Sequence, residues 1–320
     1  MNNRFDIESL AKLFQPSLWS ERYPTSEQVL SAHIAFSKSE SDRIRSKISF
    51  ETVKYGERFT NETFDIYGID LPKDAPVFVY IHGGYWQALD KTVSAYVVEP
   101  LYKAGHKVIV LDYDICPNVT LEQLVDQIHR AGISIVNYAK SIGTRCVQIG
   151  GHSAGGHLAA CLYDNLVQQS PSLTSIVKSL YLISGVYDIC ELRYMPTVNP
   201  NNILSLDENN VLRLSPILFD FDKWITVAAS EGNSVTAIHM YVGSKDAPKL
   251  VGQSYCIERI LAHYLYPKFR LIMIETTDHF DIVENLSQAN FLITKDIINE
   301  AKTFFPSTPA VEKSLKMVDT

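Results

Sequence analysis

From residue 77 onward, short apolar runs alternate with longer stretches in which apolar and polar positions repeat at helical spacing. Val77 to Ile81, Lys107 to Asp112, Cys146 to Ile149, Ser179 to Ile183, Ile238 to Val242 and Phe269 to Glu275 are rich in β-branched and aromatic residues and read as strands. Thr120 to Ala139, Gly155 to Gln168 and Lys249 to Tyr264 read as helices, and a closing helix ends near Phe304. Thr120 and Gln123 have the spacing of a capping box, which fixes where the first of these begins. Strands that are apolar throughout, rather than on alternate positions, are buried on both faces. The pattern therefore predicts an α/β architecture, a mostly parallel central sheet with helices on both faces.

Three stretches depart from the alternation. Residues 1–50 carry helix-compatible patches and a polar run, Ser37 to Arg43, and are expected to form an N-terminal extension that packs on or covers the main domain. Residues 186–237, with Pro196, Pro200, Pro216 and the polar cluster Asp207-Glu208-Asn209-Asn210, read either as a cap or lid above the strand ends or as a long surface loop. The tail after Pro306 is polar and is expected to fray. At 320 residues and 46% hydrophobic content, a single large domain is expected across 1–320.

The formal charge of −7, with no offsetting basic run, argues against nucleic acid and anionic membrane surfaces as partners. The first residues lack the apolar segment of a signal peptide and nowhere do about 18 apolar residues occur together, so a cytoplasmic location is expected. The five cysteines are scattered, without a C-x-x-C pair, and read as reduced residues.

Chemistry enters at two glycine-rich turns. Gly151-His152-Ser153-Ala154-Gly155 reads G-x-S-x-G between a strand and a helix, the nucleophile elbow in which a strained turn exposes the serine. Upstream, a strand ends at His82-Gly83-Gly84-Tyr85-Trp86, which resembles the H-G-G-G oxyanion loop of lipases and esterases. The N–H groups of Gly84, Tyr85 and Ala154 are the expected oxyanion donors, and His82, Gly83, Tyr85 and Trp86 the expected substrate contacts. His152 and His157 flank the serine, but no cysteine cluster or H-E-x-x-H accompanies them, so neither metal nor cofactor is expected.

A serine hydroxyl needs a histidine to take its proton and an acid to orient that histidine, in the chain order Ser, acid, His. His279 follows the last strand, whereas His239 lies within a strand and His263 on a helix. Asp246 follows the preceding strand; Asp188 is the second choice, and Asp278 adjoins His279 too closely to orient it. The expected triad is Ser153, Asp246 and His279.

The H-G-G-Y-W turn combined with His152-Ser153-Ala154-Gly155-Gly156-His157 resembles the kynurenine formamidase (arylformamidase) family of the α/β-hydrolase fold, over residues 77 to 285 or so. Tyr85 stands where the broader esterase and lipase branch keeps a third glycine. The resemblance implies hydrolysis of N-formylkynurenine to kynurenine and formate in tryptophan breakdown, with a small-molecule substrate and no metal or organic cofactor. The bulk of Tyr85 and Trp86 reads as flanking the aryl ring or narrowing the acyl side, with packing beneath the loop the alternative, above all for Trp86. A general carboxylesterase and a non-catalytic binding module of the same fold are the alternatives, and a homodimer stays open.

Overall fold

The computed structural model describes residues 7–230, 235–265 and 267–305; the expected tail after Pro306 lies outside them. Eight strands form one sheet: β1 (Phe50–Lys54), β2 (Thr63–Tyr67), β3 (Val77–Ile81), β4 (Lys107–Leu111), β5 (Val147–His152), β6 (Val177–Ile183), β7 (Ala237–Lys245) and β8 (Phe269–Asp278). Their order is β1-β2-β4-β3-β5-β6-β7-β8. The two contacts made by β2 are antiparallel and all the others parallel. All six strands expected from the apolar runs are present, and the parallel part of the sheet consists of them.

The chain order of the helices is α1 (Ile7–Leu13), α2 (Ser26–Lys47), α3 (Val98–Lys103), α4 (Leu121–Ser141), α5 (Ala154–Gln169), α6 (Asn210–Arg213), α7 (Phe221–Ser230), α8 (Pro248–Leu265), α9 (Asp281–Glu284) and α10 (Leu292–Phe304). β3 shows why they divide between the two faces. Its Val77, Val79 and Ile81 point into a core shared with α4, α5, α7 and α8, while Phe78 and Tyr80 point into one shared with α2, α3 and α10. Strand side chains alternate between faces, so a strand covered on both sides must be apolar at every position. The capping box at α4 is formed as expected: Gln123 N–H donates to Thr120 Oγ1 at 3.1 Å and Thr120 N–H to Gln123 Oε1 at 3.0 Å.

Among the elements outside the expected pattern, β1, β2 and α2 bear on the sheet and its cover. β1 sits at the sheet edge and is largely exposed. β2 carries the fully buried Asp65, whose charge is met by Arg45 Nη1 at 2.6 Å and Thr52 Oγ1 at 2.7 Å. α2 buries Val29, His33, Ser37, Ser41 and Ile44 on one stripe, and three of those five are polar. The segment 186–237 is no open loop. Val186, Tyr187, Ile189, Leu192, Met195, Val198, Leu204 and Trp224 are buried in the same core as α5, and Asn199, Asn202 and Asp207 accept the amides of Leu204, Leu206 and Asn210.

Candidate active site

At the C-terminal ends of the parallel strands, where open α/β sheets present their ligand sites, the expected triad residues converge. Ser153 follows β5, Asp246 follows β7 and His279 follows β8. Ser153 has φ of 56° and ψ of −121°, outside the comfortable range of an L-residue. The turn is held by its backbone: Ser153 N–H donates to Ile183 O at 2.9 Å, and Gly156 N–H donates to Ser153 O at 2.9 Å. Its glycines answer to close approach. A Cβ on Gly151 would lie 2.0 Å from Gly155 O, and one on Gly155 would lie 2.0 Å from Ile81 O. A side chain at Gly151 pushes β5 away from α5, and one at Gly155 pushes α5 away from β3.

His279 Nδ1 donates between both carboxylate oxygens of Asp246, at 2.9 Å to each, and both side chains are buried. That contact fixes the ring with Nε2 free to face the serine, and Ser153 and His279 line one cavity. Asp188 is elsewhere occupied, accepting Cys190 N–H at 2.9 Å. Asp278 is turned from the ring as well: its Oδ1 accepts Phe280 and Asp281 N–H, and its Oδ2 meets Ser20 and Arg22. His239 pairs with Glu300 at 3.1 Å.

The turn after β3 runs through three successive left-handed residues, Gly84 (φ 100°), Tyr85 (φ 48°) and Trp86 (φ 60°). Gly84 is required, since a Cβ there would sit 2.3 Å from Ala88 O. For two aromatic residues this backbone costs roughly 1–2 kcal/mol each, and each is anchored by its side chain. Tyr85 OH donates to Phe14 O, and Trp86 Nε1–H donates to His157 Nδ1 at 3.2 Å. His157 can accept there because its other nitrogen, Nε2–H, donates to Leu214 O at 2.7 Å; burial keeps the ring neutral, its pKa lowered to about 4. The second histidine of H-S-A-G-G-H thus carries the tryptophan of H-G-G-Y-W, which explains why the two motifs travel together in this chain. Among the described residues no acceptor takes the N–H groups of Gly84, Tyr85 or Ala154, the last at the start of the 16-residue α5. They are available to an oxyanion.

Four substrate contacts were expected on this turn, and one of the four side chains reaches the cavity. Tyr85 lines the cavity; His82, Gly83 and Trp86 do not. His82 is buried beneath the turn, stacked on Tyr113 at 4.3 Å with Tyr113 OH donating to its carbonyl at 2.8 Å. Gly83 lies against the His152 carbonyl. Trp86 is fully buried, edge-on to His157, so its ring neither flanks an aryl group nor limits acyl size directly.

The cavity, about 320 Å³, is completed by residues the motifs did not mark. Phe14, Pro16, Leu30 and Ile34 come from the N-terminal extension, Val198 from the 186–237 segment and Phe280 from the His279 turn. His152 also lines it. Its Nε2–H donates to His279 O at 2.8 Å, and burial, together with the neighbouring His279, keeps its pKa well below that of a free imidazole. Its place beside the serine in the motif was the available signal. Among the described residues no cluster of His, Cys, Asp or Glu is arranged to hold a metal ion, and no helix is long and apolar enough to cross a membrane.

Residues 78–247, over half the chain, match the α/β hydrolase fold model Abhydrolase_3. The chain is 34% identical over 238 residues to the kynurenine formamidase of Drosophila melanogaster, covering 74% of this chain and 76% of that one. It is 31% identical over 293 residues to the kynurenine formamidase of Danio rerio, covering 90% and 94%. Among solved structures, esterase B of Lactobacillus rhamnosis superposes with a TM-score of 0.64 at 18% identity, covering 94% of this chain and 95% of that one. The esterase of Pyrobaculum calidifontis superposes with a TM-score of 0.60 at 14% identity, covering 94% and 93%. At such identities the esterases speak for the fold, while the formamidases speak for descent: the chain belongs to the kynurenine formamidase family of α/β hydrolases.

Proposed function

We propose that the protein hydrolyses N-formylkynurenine to kynurenine and formate, with Ser153 as nucleophile. The observation that carries the assignment of roles is His279 Nδ1 held at 2.9 Å by both oxygens of Asp246, on the same cavity as Ser153. Ser153 Oγ attacks the formyl carbon while His279 Nε2 takes the hydroxyl proton. The N–H groups of Gly84, Tyr85 and Ala154 hold the oxyanion, where each preorganised donor contributes roughly 3–4 kcal/mol. On collapse the C–N bond breaks, and His279 returns the proton to the departing arylamine. Water then attacks the formyl-serine ester, His279 again accepting and returning a proton, and formate leaves. The apolar walls Phe14, Leu30, Val198 and Phe280 suit the aryl ring of such a substrate. We place the activity in the cytosol, a setting in which free thiols such as the buried Cys116, Cys146 and Cys161 stay reduced.

The test is turnover of N-formyl-L-kynurenine by the purified protein, following kynurenine by absorbance and formate by an independent assay. Kynurenine and formate in equal amounts, with a covalent serine-hydrolase probe attached at Ser153, is the expected result. Rapid cleavage of short alkyl esters with no kynurenine formed would make the protein a carboxylesterase instead. Failure of the probe to label any serine would leave a binding module.

A further inference from the structure

We infer that His33, on the N-terminal helix α2, receives the α-carboxylate of the substrate's amino-acid arm. The inference rests on the formamidase reading, which demands that one end of the substrate lie at Ser153 and that a charged amino-acid group lie in the cavity beyond the ring. An anion in an apolar cavity needs a cationic or donor partner built into the wall. Four ionisable side chains line this cavity: Tyr85, His152, His279 and His33. Three are committed. Tyr85 OH donates to Phe14 O, His152 donates its Nε2–H to the His279 carbonyl, and His279 is tied to Asp246.

His33 differs in that its fixed nitrogen meets a carboxylate, whereas His152, also held through one nitrogen, is kept neutral by burial and has no second N–H to give. Its Nδ1 meets Glu284 Oε1 at 2.9 Å, the one hydrogen bond of this ring among the described residues, and the ring lines the cavity. The ring is only 7% exposed, so its orientation is set by packing as well as by that bond. Glu284 is itself gripped by Arg22, at 2.7 Å through Nη1 and 3.3 Å through Nη2. Burial works to raise the Glu284 pKa, yet the contacts to His33 and Arg22 hold it below the usual range. Arg22 is shared between Glu284 and Asp278, so the carboxylate that meets His33 is already paired with a cation. A carboxylate on Nε2–H, with Glu284 on Nδ1–H, gives both protons of the imidazolium a charged acceptor.

The position along the wall agrees. The His279 and Phe280 rings are 5.4 Å apart, and the Phe280 and His33 rings 5.2 Å. The order from the reacting end is therefore base, aromatic wall, imidazole, which is the order of formamide, aryl ring and amino acid in the substrate. The N-terminal extension is then a specificity element as well as a cover.

The experiment compares N-formyl-L-kynurenine with N-formyl-2-aminoacetophenone, which keeps the formanilide and lacks the amino-acid arm, on the wild-type protein and on His33→Gln. Loss of a hydrogen bond to a charged group is expected to raise KM for formylkynurenine about 10- to 100-fold in the variant with kcat nearly unchanged. Turnover of the truncated substrate should stay as in the wild type, and L-kynurenine should weaken as a product inhibitor. An unchanged KM for formylkynurenine overturns the assignment. Equal losses on both substrates overturn it too, by making His33 a structural tie between α2 and α9. Should the wild type cleave only the truncated substrate, the formamidase reading itself falls, and the assignment with it.

Discussion

The cavity around Ser153 has a floor and a roof, and they are made differently. The floor is backbone: an elbow in which two glycines lie so close to neighbouring carbonyls that no side chain fits, and a left-handed turn whose Gly84 and Tyr85 amides stay unpaired among the described residues. The roof is side chains from residues 14 to 34, laid across the floor and fixed at few points: Tyr85 OH on Phe14 O, Arg22 on Asp278 and Glu284, and His33 on Glu284. A backbone site admits few sequences, because its geometry needs particular glycines and a particular serine. A side-chain roof admits many, because any sequence of similar shape and polarity closes it. The floor therefore suits chemistry common to a fold, and the roof suits what distinguishes one substrate from another.

If that division holds, damage to the floor should abolish turnover of every substrate alike. Ser153→Ala and His279→Ala should each lower kcat by about four to six orders of magnitude on formylkynurenine and on simple formanilides, with melting temperature held within a few degrees. Thermal melting beside single-turnover kinetics checks this; a variant retaining a tenth of the activity would remove the residue from the chemistry. Gly84→Ala comes next. Its Cβ would meet Ala88 O at 2.3 Å at a φ of 100°, so the turn must shift and carry the Gly84 and Tyr85 amides with it. The expected loss is about 100- to 1,000-fold in kcat, that of one oxyanion donor, again regardless of substrate.

The same division explains what could be seen in the sequence. The six parallel strands are legible because burial on both faces leaves them apolar at every position, and α4 is legible because Thr120 and Gln123 both supply its cap and mark it. Ser153, Asp246 and His279 are legible because chain order and strand ends restrict the choice. α2 is not, because the stripe it buries contains His33, Ser37 and Ser41, and a polar residue in a buried stripe erases the helical period. β2 hides in the same way behind Asp65, buried at full pairing with Arg45. In the sequence, Trp86 stays undecided between ligand contact and core packing for a different reason. An aromatic residue next to an oxyanion glycine points either toward the ligand or away from it, and the local sequence does not mark which: Tyr85 and Trp86 are both left-handed, yet of the two Tyr85 alone lines the cavity.

Where floor meets roof, the expected effect is smaller and selective. Tyr85→Phe removes the hydroxyl that joins the oxyanion turn to Phe14 and leaves the ring in place. Losing one neutral hydrogen bond costs about 1 kcal/mol, or roughly a fivefold rise in KM for formylkynurenine, with little change in kcat. A kcat defect as large as that of Gly84→Ala would show that the tether holds the oxyanion amides as well as the roof, and the two regions would then be one unit.

The smallest effect expected is on stability, at the seam beneath His279. Asp278 and Asp281 face each other there: Asp278 N–H donates to Asp281 Oδ1 at 2.7 Å, and Asp281 N–H to Asp278 Oδ1 at 2.8 Å. Against the opposing effect of burial, the Ser20 hydroxyl, the Asp281 amide and Arg22 together hold the Asp278 carboxyl below the usual range. Burial and the Asp278 charge push Asp281 up to about 7. A carboxyl raised in the folded state favours folding while protonated, and that advantage is lost as pH climbs from the ordinary aspartate value toward 7. The wild type should therefore lose melting temperature through this group between about pH 4 and 7. Asp281→Asn keeps an oxygen for the Asp278 amide and has no charge to acquire. Its melting temperature should match the wild type near pH 4 and exceed it by a few degrees at pH 8, a gap that opens across that window. A constant difference at all pH values would mean that Asp281 does not titrate there, and that Arg22 anchors the roof to the His279 turn with no charge left over at the seam.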